Sequence, residues 1–306
     1  MSGDLAVGID LGGTQVRAAL IDRDGNIHKR LSELTQANTG SDVVVGQIVD
    51  LTAQVLDGIA RSRVLGAGVS SPGPLDTEKG LALDIPTIAG FTDFPLQATL
   101  AQRLGMPVFL ENDGIAAAVG EWTFGAARGL ANVVYVTVST GIGGGVIVDG
   151  HVLRGRRGMA GHVGHMSFVR GGALCVCGNH GCFEAYGSGT AFTRRAIAAS
   201  GQLISAADVF AAAASGDGLA QTLIDEEAEI LGQGFASLMH LFSPDILVMG
   251  GGLSNQFARL ESGIAAALQA SAMPPFRDTP VVPAALGNNS GLIGAASLVF
   301  TPPEAV

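Results

Sequence analysis

The amino-acid sequence predicts an α/β fold made of two domains with related architecture. Segments with the pattern of buried strands alternate with amphipathic or Ala-rich helical segments, which is typical of this class. Two hairpins with glycine-rich tips occur far apart, at residues 5–25 and 133–150. The chain has 306 residues, a length that accommodates two domains. The glycine-rich tips are expected to face each other across a cleft.

Composition and charge indicate a globular protein and argue against nucleic-acid binding. Hydrophobic residues make up 47% of the chain and charged residues 14%, which indicates a globular protein rather than a disordered one. The net charge is −10, from 17 basic and 27 acidic residues. Basic residues form no cluster beyond pairs such as Arg156-Arg157 and Arg194-Arg195. Since nucleic-acid binding usually needs a positive face, no nucleic-acid partner is predicted.

No targeting or membrane segment is predicted. Residues 1–10 contain Asp4 and lack a basic segment before an apolar run, unlike a signal peptide. Residues 129–148 carry no charge, but glycines and hydroxyl side chains interrupt them, so they are interpreted as two strands joined by a turn. We therefore expect a cytoplasmic protein with no membrane partner.

The first hairpin carries a candidate phosphate site. A strand at residues 5–10 ends on Asp10, and a second strand follows at residues 15–21. Glycines in the turn allow backbone N–H groups to approach a phosphate closely. The Asp10 carboxylate suits a hydrated magnesium ion, which takes few protein ligands. The ATP contacts predicted here are Asp10, Gly12, Gly13 and Thr14. An ordinary hairpin turn is the alternative.

The elements that follow alternate in the same way. The expected helices and strands are a helix at 42–60, a strand at 64–70 with a loop at 71–74, a strand at 107–111, a helix at 114–121, helices between 190 and 241, a strand at 245–249 and a helix at 291–300. The domains are predicted at 1–121 and 122–306, and the last helix can pack back onto the first domain.

Two further glycine runs add to the phosphate site. Residues 139–145 follow the strand at 133–138 and lead into a strand at 145–148, and residues 250–252 follow another strand. The predicted ATP contacts in these runs are Thr140, Gly141, Gly143, Gly251 and Gly252. Neither the G-x-x-x-x-G-K-[ST] loop nor a dinucleotide-binding fingerprint is matched in the required context.

The three cysteines of the chain predict a metal site. Cys175, Cys177 and Cys182 lie close together, and His165 precedes them. One imidazole and three thiolates form a closed tetrahedral set of the structural zinc type, which orders a loop and leaves no position for an activated water. His180 is the rival fourth ligand, and three thiols without a metal are the other alternative.

The chain resembles the ROK family, which contains repressors and sugar kinases. The residues that carry the resemblance are those at 10–14, 71–74, 111–113, 139–145, 161–165, 175–178, 181–184 and 291–296. The resemblance implies an α/β fold of the actin-like ATPase (ribonuclease H-like) type, with two domains and an interdomain cleft. It also implies transfer of the ATP γ-phosphate to a sugar hydroxyl, usually the 6-hydroxyl.

The resemblance also implies roles for individual residues. Asp113 is the expected general base, with a helix N-cap as its simpler role. Asn112 is expected to hold a neighbouring hydroxyl. Glu184 matches a sugar-binding position, with an ordinary surface carboxylate as the alternative. The complete sugar-binding set is Gly73, Thr87, Asn112, Asp113, His162, His165 and Glu184.

Three positions depart from the family pattern. Gln15 stands where Lys is frequent, and Thr87 stands where Asn often binds sugar. His162 occupies a position where most of these kinases carry Glu, and it resembles the Gly-His-x-Gly-His run of bacterial N-acetylmannosamine kinases. A neutral imidazole has one donor and one acceptor, so it reads sugar hydroxyls differently from a carboxylate. The acceptor is therefore expected to be an N-acetylhexosamine or a hexose with altered C1/C2 chemistry, and a glucokinase that tolerates the change is the alternative.

Other interpretations stay open at this point. The repressor branch carries a DNA-binding domain before the first glycine turn, and nine residues precede Asp10, so the kinase branch is expected. A non-catalytic sugar-sensing protein, a polyphosphate-dependent kinase and a zinc-dependent hydrolase are the alternatives. The expected cofactors are ATP, Mg²⁺ and structural Zn²⁺, and a homodimer or homotetramer is expected.

Overall fold

A computed structural model describes residues 4–301. In chain order its strands are β1 (Leu5–Leu11), β2 (Gln15–Asp22), β3 (Ile27–Leu34), β4 (Val64–Ser71), β5 (Leu75–Asp76), β6 (Leu81–Asp84), β7 (Thr92–Phe94), β8 (Val108–Asn112), β9 (Val133–Val138), β10 (Ile142–Val148), β11 (His151–Val152), β12 (Ile246–Gly250) and β13 (Val281–Pro283). Its helices are α1 (Ser41–Val55), α2 (Leu96–Leu104), α3 (Asp113–Phe124), α4 (Glu184–Gly187), α5 (Gly189–Ser200), α6 (Ala206–Ala214), α7 (Gly218–Phe242), α8 (Phe257–Ser271) and α9 (Ser290–Phe300).

The chain divides into two compact units. Within the described residues, unit 1 comprises 4–129, 151–161 and 289–301, and unit 2 comprises 130–150 and 162–288. The expected boundary after residue 121 differs from this division. Segment 151–161 returns to unit 1 because the Thr77 N–H donates to the Arg157 carbonyl oxygen at 3.0 Å, and the Arg157 N–H donates to the Glu78 carboxylate at 3.0 Å.

The main sheet of unit 1 has the strand order β3-β2-β1-β4-β8. β1 is antiparallel to β2 and parallel to β4, and β8 is parallel to β4. Alternate residues of a strand point to opposite faces. Val7 and Ile9 of β1 accordingly belong to the core formed with α1 and α2, which contains Ile48 and Leu96. β5, β6 and β7 form a separate small sheet.

Helix α9 packs directly against the backbone of the sheet and of α3. A Cβ atom at Gly8 would overlap the Leu292 carbonyl oxygen, and one at Gly68 would overlap that of Ala295. Gly294, inside α9, makes the same kind of close approach to the Ala116 carbonyl oxygen of α3. These glycines let α9 reach the end of β1 that carries Asp10, so the last helix is part of unit 1.

Unit 2 is built on strands that run in the order β10-β9-β12-β13. β9 is antiparallel to β10 and parallel to β12. Val134 and Val136 of β9 join one core with Phe235 of α7 and Leu260 of α8. Among residues 4–301, no helix combines the length and apolar composition needed to cross a membrane.

Several predicted boundaries were wrong for local reasons. The helix predicted at 42–60 ends at Val55, because the chain turns through Gly58, whose φ of +78° is left-handed. The strand predicted to start at residue 145 starts at Ile142, and Gly143 pairs with Thr137 inside the β9–β10 ladder. The glycine-rich turn of this hairpin is therefore shorter than predicted. β3, α2 and α8 were not predicted.

Candidate active site and metal centre

Asp10 lies near the end of β1, between side chains of both neighbouring strands. Arg17 on β2 and Ser70 on β4 are its direct partners in the sheet register. The Ser70 hydroxyl donates to Asp10 Oδ1 at 3.0 Å, and the Arg17 guanidinium pairs with Oδ2. Arg17 comes from the same hairpin, whereas Ser70 is a long-range contact; neither was predicted from the sequence. They hold the carboxylate in one orientation at the mouth of the glycine turn.

The turn after β1 is held by its own backbone and by Thr35. The Gly12 N–H donates to the Gln15 carbonyl oxygen at 3.0 Å, and the Thr35 hydroxyl donates to the Gly12 carbonyl oxygen at 2.7 Å. A Cβ atom at Gly13 would lie 2.8 Å from the Thr87 Cβ. The structure therefore brings Thr87 against the predicted phosphate turn, where the Thr14 side chain is exposed.

Asn112 and Asp113 occupy the junction of β8 and α3. Asn112 is the N-cap of α3, and its side-chain oxygen accepts from the Gly114 N–H at 3.0 Å. Asp113 is the first helical residue and is exposed, and its own Oδ1 also accepts from the Gly114 N–H, at 2.8 Å. Capping is thus the task of Asn112, and Asp113 presents a carboxylate at the positive end of the helix. Gly73 lies in the loop between β4 and β5.

A buried ion pair between Glu111 and Arg154 stabilises the junction of β8 and α3. Glu111 is only 1% exposed, and its Oε2 accepts from Arg154 Nε at 2.9 Å. Its Oε1 accepts from the Asn112 N–H at 3.1 Å. Burial raises the pKa of Glu111, and the Arg154 charge opposes that rise. Sequence reasoning missed this pair because Arg154 lies on the segment that returns to unit 1.

In unit 2, the Glu184 carboxylate contacts the glycine turn between β9 and β10. The Ser139 N–H donates to the Gly141 carbonyl oxygen at 2.9 Å, which makes the turn tight. The Ile142 N–H donates to Glu184 Oε2 at 2.8 Å. Gly141 has no Cβ to collide with that carboxylate. Glu184 is half-buried at the start of α4, so it is more than an ordinary surface carboxylate.

A cavity of about 650 Å³ opens beside the same turn. Its walls include Thr140, the start of α5 at Gly189, and Gly252. Gly251 adopts a left-handed φ of +82°, and a Cβ atom there would lie 2.5 Å from the Val138 carbonyl oxygen. The glycine run at 250–252 therefore lets the chain pass close to β9 and then border the cavity.

His162 directly precedes a short 3-10 turn, Val163–His165, and His165 is the last residue of that turn. Their rings are nearly parallel, with centroids 6.4 Å apart. Gly164 lies against the Ile142 carbonyl oxygen, where a Cβ atom would overlap it. The turn is thus fixed to the first residue of β10, the same residue whose N–H binds Glu184. His162 is exposed, and His165 is half-buried.

His165 and the three cysteines form one cluster. Their ligand atoms all lie within 4.8 Å of one another. His165 Nδ1 is 3.7 Å from Cys175 Sγ, and Cys177 Sγ is 3.6 Å from Cys182 Sγ. A tetrahedral zinc with Zn–S bonds of about 2.3 Å places its ligands about 3.8 Å apart, so the donor set fits this ion. The rival His180 instead approaches the Gly172 carbonyl oxygen, 3.0 Å from Nδ1.

The thiols of the cluster differ in acidity. Burial raises the pKa of Cys175 to about 12 and also raises that of Cys182. A hydrogen bond from the Asn179 backbone N–H lowers the pKa of Cys177. A bound cation favours thiolates, since it supplies the charge that burial otherwise withholds.

The comparisons with known proteins agree with this architecture. The ROK family model matches residues 6–301. A glucokinase from Thermotoga maritima is 35% identical over 96% of this chain and 96% of its own length. An N-acetylmannosamine kinase from Yersinia pseudotuberculosis is 33% identical over 94% of this chain and 96% of its own length.

Solved structures show the same fold. A ROK family glucokinase from Streptomyces griseus, in complex with glucose and AMPPNP, superposes with a TM-score of 0.84. It is 32% identical, covering 96% of this chain and 98% of that one. The architecture is thus that of the two-domain, actin-like ATPases. The chain belongs to the ROK family, and its fold is that of the family's sugar kinases.

Proposed function

We propose that this ROK sugar kinase transfers the γ-phosphate of ATP to the 6-hydroxyl of a hexose or an N-acetylhexosamine. The observation that carries the proposal is the exposed Asp113 carboxylate at the first position of α3. Asn112 already caps the helix, so the fold does not need Asp113 for that purpose. Relatives named glucokinase and N-acetylmannosamine kinase supply the two candidate acceptor classes.

Asp113 is proposed as the general base. The helix dipole favours its ionised form, which can accept the proton of the sugar hydroxyl. As that proton leaves, the hydroxyl oxygen bonds to the γ-phosphorus, the bond to the β–γ bridging oxygen breaks, and ADP departs with the electron pair. Asn112 retains its amide N–H donors for a neighbouring hydroxyl, since its oxygen serves the cap.

The nucleotide is proposed to lie along the glycine turns. The phosphates are proposed to contact Gly12, Gly13, Thr14, Thr140, Gly141 and Gly143. Gly252 borders the cavity that takes the adenosine, and Gly251 directly precedes it. Asp10 already accepts from Ser70 and Arg17, so it would hold Mg²⁺ through water. Magnesium supplies charge neutralisation of the phosphates, and most of the remaining catalysis is positioning.

The proposed sugar contacts are Gly73, Thr87, Asn112, Asp113, His162, His165 and Glu184. His162 selects among acceptors because its imidazole offers one donor and one acceptor, where a carboxylate offers only acceptors. This chemistry suits an acetamido sugar, N-acetylmannosamine or N-acetylglucosamine, and it suits glucose equally well.

Zinc is proposed at His165, Cys175, Cys177 and Cys182. The ion would supply a fixed crosslink and no reacting group, because four protein ligands fill its tetrahedron. The crosslink orders the segment between the histidine turn and α4. It thereby holds His165 and Glu184 in place for the sugar.

ADP release with MgATP tests the proposal. The acceptor panel is glucose, mannose, fructose, allose, N-acetylglucosamine and N-acetylmannosamine. We expect release with at least one sugar, dependent on magnesium, and loss of that release in Asp113→Asn. If folded protein shows no sugar-dependent ADP release with MgATP, and forms no sugar phosphate with polyphosphate as donor, the proposal is contradicted and a sugar-sensing protein is favoured.

A further inference from the structure

An arginine forms part of the wall of the cavity in unit 2. Arg194 on α5 is the one charged side chain among the described residues that line the cavity of about 650 Å³. Its Nη2 donates to the Ala185 carbonyl oxygen at 2.8 Å. A guanidinium has five N–H donors, so this single bond leaves donors for a ligand in the cavity.

The Ala185 contact connects the cavity to Glu184. Ala185 directly follows Glu184 in α4, and Glu184 Oε2 accepts from the Ile142 N–H at 2.8 Å. Ile142 in turn follows the glycine turn, in which Thr140 lines the same cavity. The contacts therefore form a closed ring, from the cavity through the turn to Glu184 and back through Arg194.

The neighbouring Arg195 has a different task. It donates to the Tyr186 carbonyl oxygen and pairs with the fully buried Glu227 of α7. Its guanidinium is thus used inside the unit and is absent from the described lining of the cavity. Of the two adjacent arginines, only Arg194 connects α4 to the cavity.

We propose that Arg194 contacts the nucleotide and, through the Ala185 carbonyl, positions Glu184, so that nucleotide and sugar bind cooperatively. This inference rests on the proposed function, because it takes Glu184 as a sugar contact. Ribose hydroxyl oxygens and phosphate oxygens of an adenosine phosphate are the acceptors that a guanidinium suits. A bound nucleotide that accepts hydrogen bonds from Arg194 restricts the motion of α4. The Glu184 carboxylate is then already oriented when the sugar binds.

Calorimetric titration measures the coupling directly. MgADP and glucose are each titrated into the full-length protein, alone and with the other ligand saturating. In the wild type, saturating MgADP is expected to tighten glucose binding. In Arg194→Met, the Kd for MgADP is expected to rise roughly tenfold, a typical loss for one charged hydrogen bond. The ratio between the two glucose Kd values is expected to fall to about one.

Two further variants control for misfolding. Arg194→Lys keeps the charge and should restore part of the MgADP affinity, and Arg259→Met removes an exposed arginine of α8 and should leave all four Kd values unchanged. An unchanged MgADP affinity in Arg194→Met, or a coupling that persists in it, overturns the inference. The proposed function is tested separately, since Glu184→Gln should weaken glucose binding in the absence of nucleotide.

Discussion

The backbone N–H of Ile142 donates a hydrogen bond of 2.8 Å to the carboxylate of Glu184. This bond joins the glycine turn at the β9–β10 hairpin to the helix that follows the metal cluster. The other carboxylate oxygen, Oε1, lies 3.6 Å from Cys175 Sγ. One side chain thus connects the predicted phosphate, sugar and zinc sites of unit 2.

The contact of α9 with α3 predicts a strong glycine requirement. Gly294→Ala should destabilise the protein by about 2–4 kcal/mol, because its Cβ overlaps the Ala116 carbonyl oxygen and the helices must separate. Gly46→Ala is the matched control inside helix α1, where a Cβ meets no atom within 4 Å. That control should stabilise by about 0.5–1 kcal/mol through helix propensity. Urea unfolding measures both, and equal effects would contradict the packing.

The metal cluster predicts one zinc per chain. Elemental analysis of purified protein should find one equivalent, and His165→Ala or Cys177→Ser should lose it and lower the Tm, because the ion holds the loop closed. His180→Ala is the control, since the His180 ring approaches the Gly172 carbonyl oxygen instead. If zinc were retained in His165→Ala but lost in His180→Ala, His180 would be the fourth ligand and the assignment of His165 would be wrong.

The buried pair of Glu227 and Arg195 predicts a pH dependence of stability. Burial raises the pKa of Glu227 to about 8, against an opposing effect of the Arg195 charge. A carboxyl whose pKa is higher in the folded than in the unfolded state binds more protons when folded, so stability falls as pH rises from about 4.5 to 8. Between pH 6 and pH 8 the wild type should lose about 2 kcal/mol relative to Glu227→Gln. Urea midpoints at both pH values measure this, and parallel curves would show that Arg195 keeps Glu227 ionised throughout.

The predictable parts of the structure were those that local sequence encodes. The strand before Asp10, the hairpin at residues 133–148 and the helix after Asn112 were confirmed, because their periodicity and turn residues lie within a short window. His165 lies in the cluster with the three cysteines, whereas the His180 ring approaches the Gly172 carbonyl oxygen. The zinc site itself stays a prediction.

Most of the contacts that sequence reasoning missed join distant segments. Ser70 beside Asp10 depends on the pairing of β1 with β4, and Arg154 beside Glu111 depends on the return of residues 151–161 to unit 1. The hydrogen bond between Ile142 and Glu184 also spans distant parts of the chain. No periodicity within one window contains such pairings, because they are set by strand order and packing.

His162 predicts acceptor preference. In His162→Glu, kcat/KM for N-acetylmannosamine relative to glucose should fall by roughly tenfold, because a carboxylate replaces the imidazole donor with acceptors only. The same assay on His162→Gln, which keeps a donor and an acceptor, should retain more of the original ratio. A ratio that is the same in all three proteins would remove His162 from acceptor selection.

Asp113→Asn tests the central claim most directly, with sugar affinity measured beside turnover. The variant keeps the exposed position and the size of the side chain, and Asn112 still caps α3. We expect kcat for the best acceptor sugar to fall by about 10²–10⁴, the usual contribution of a general base, while the Kd for that sugar stays within about threefold. A kcat close to that of the wild type, with the sugar still bound, would contradict the assignment of Asp113 as the base.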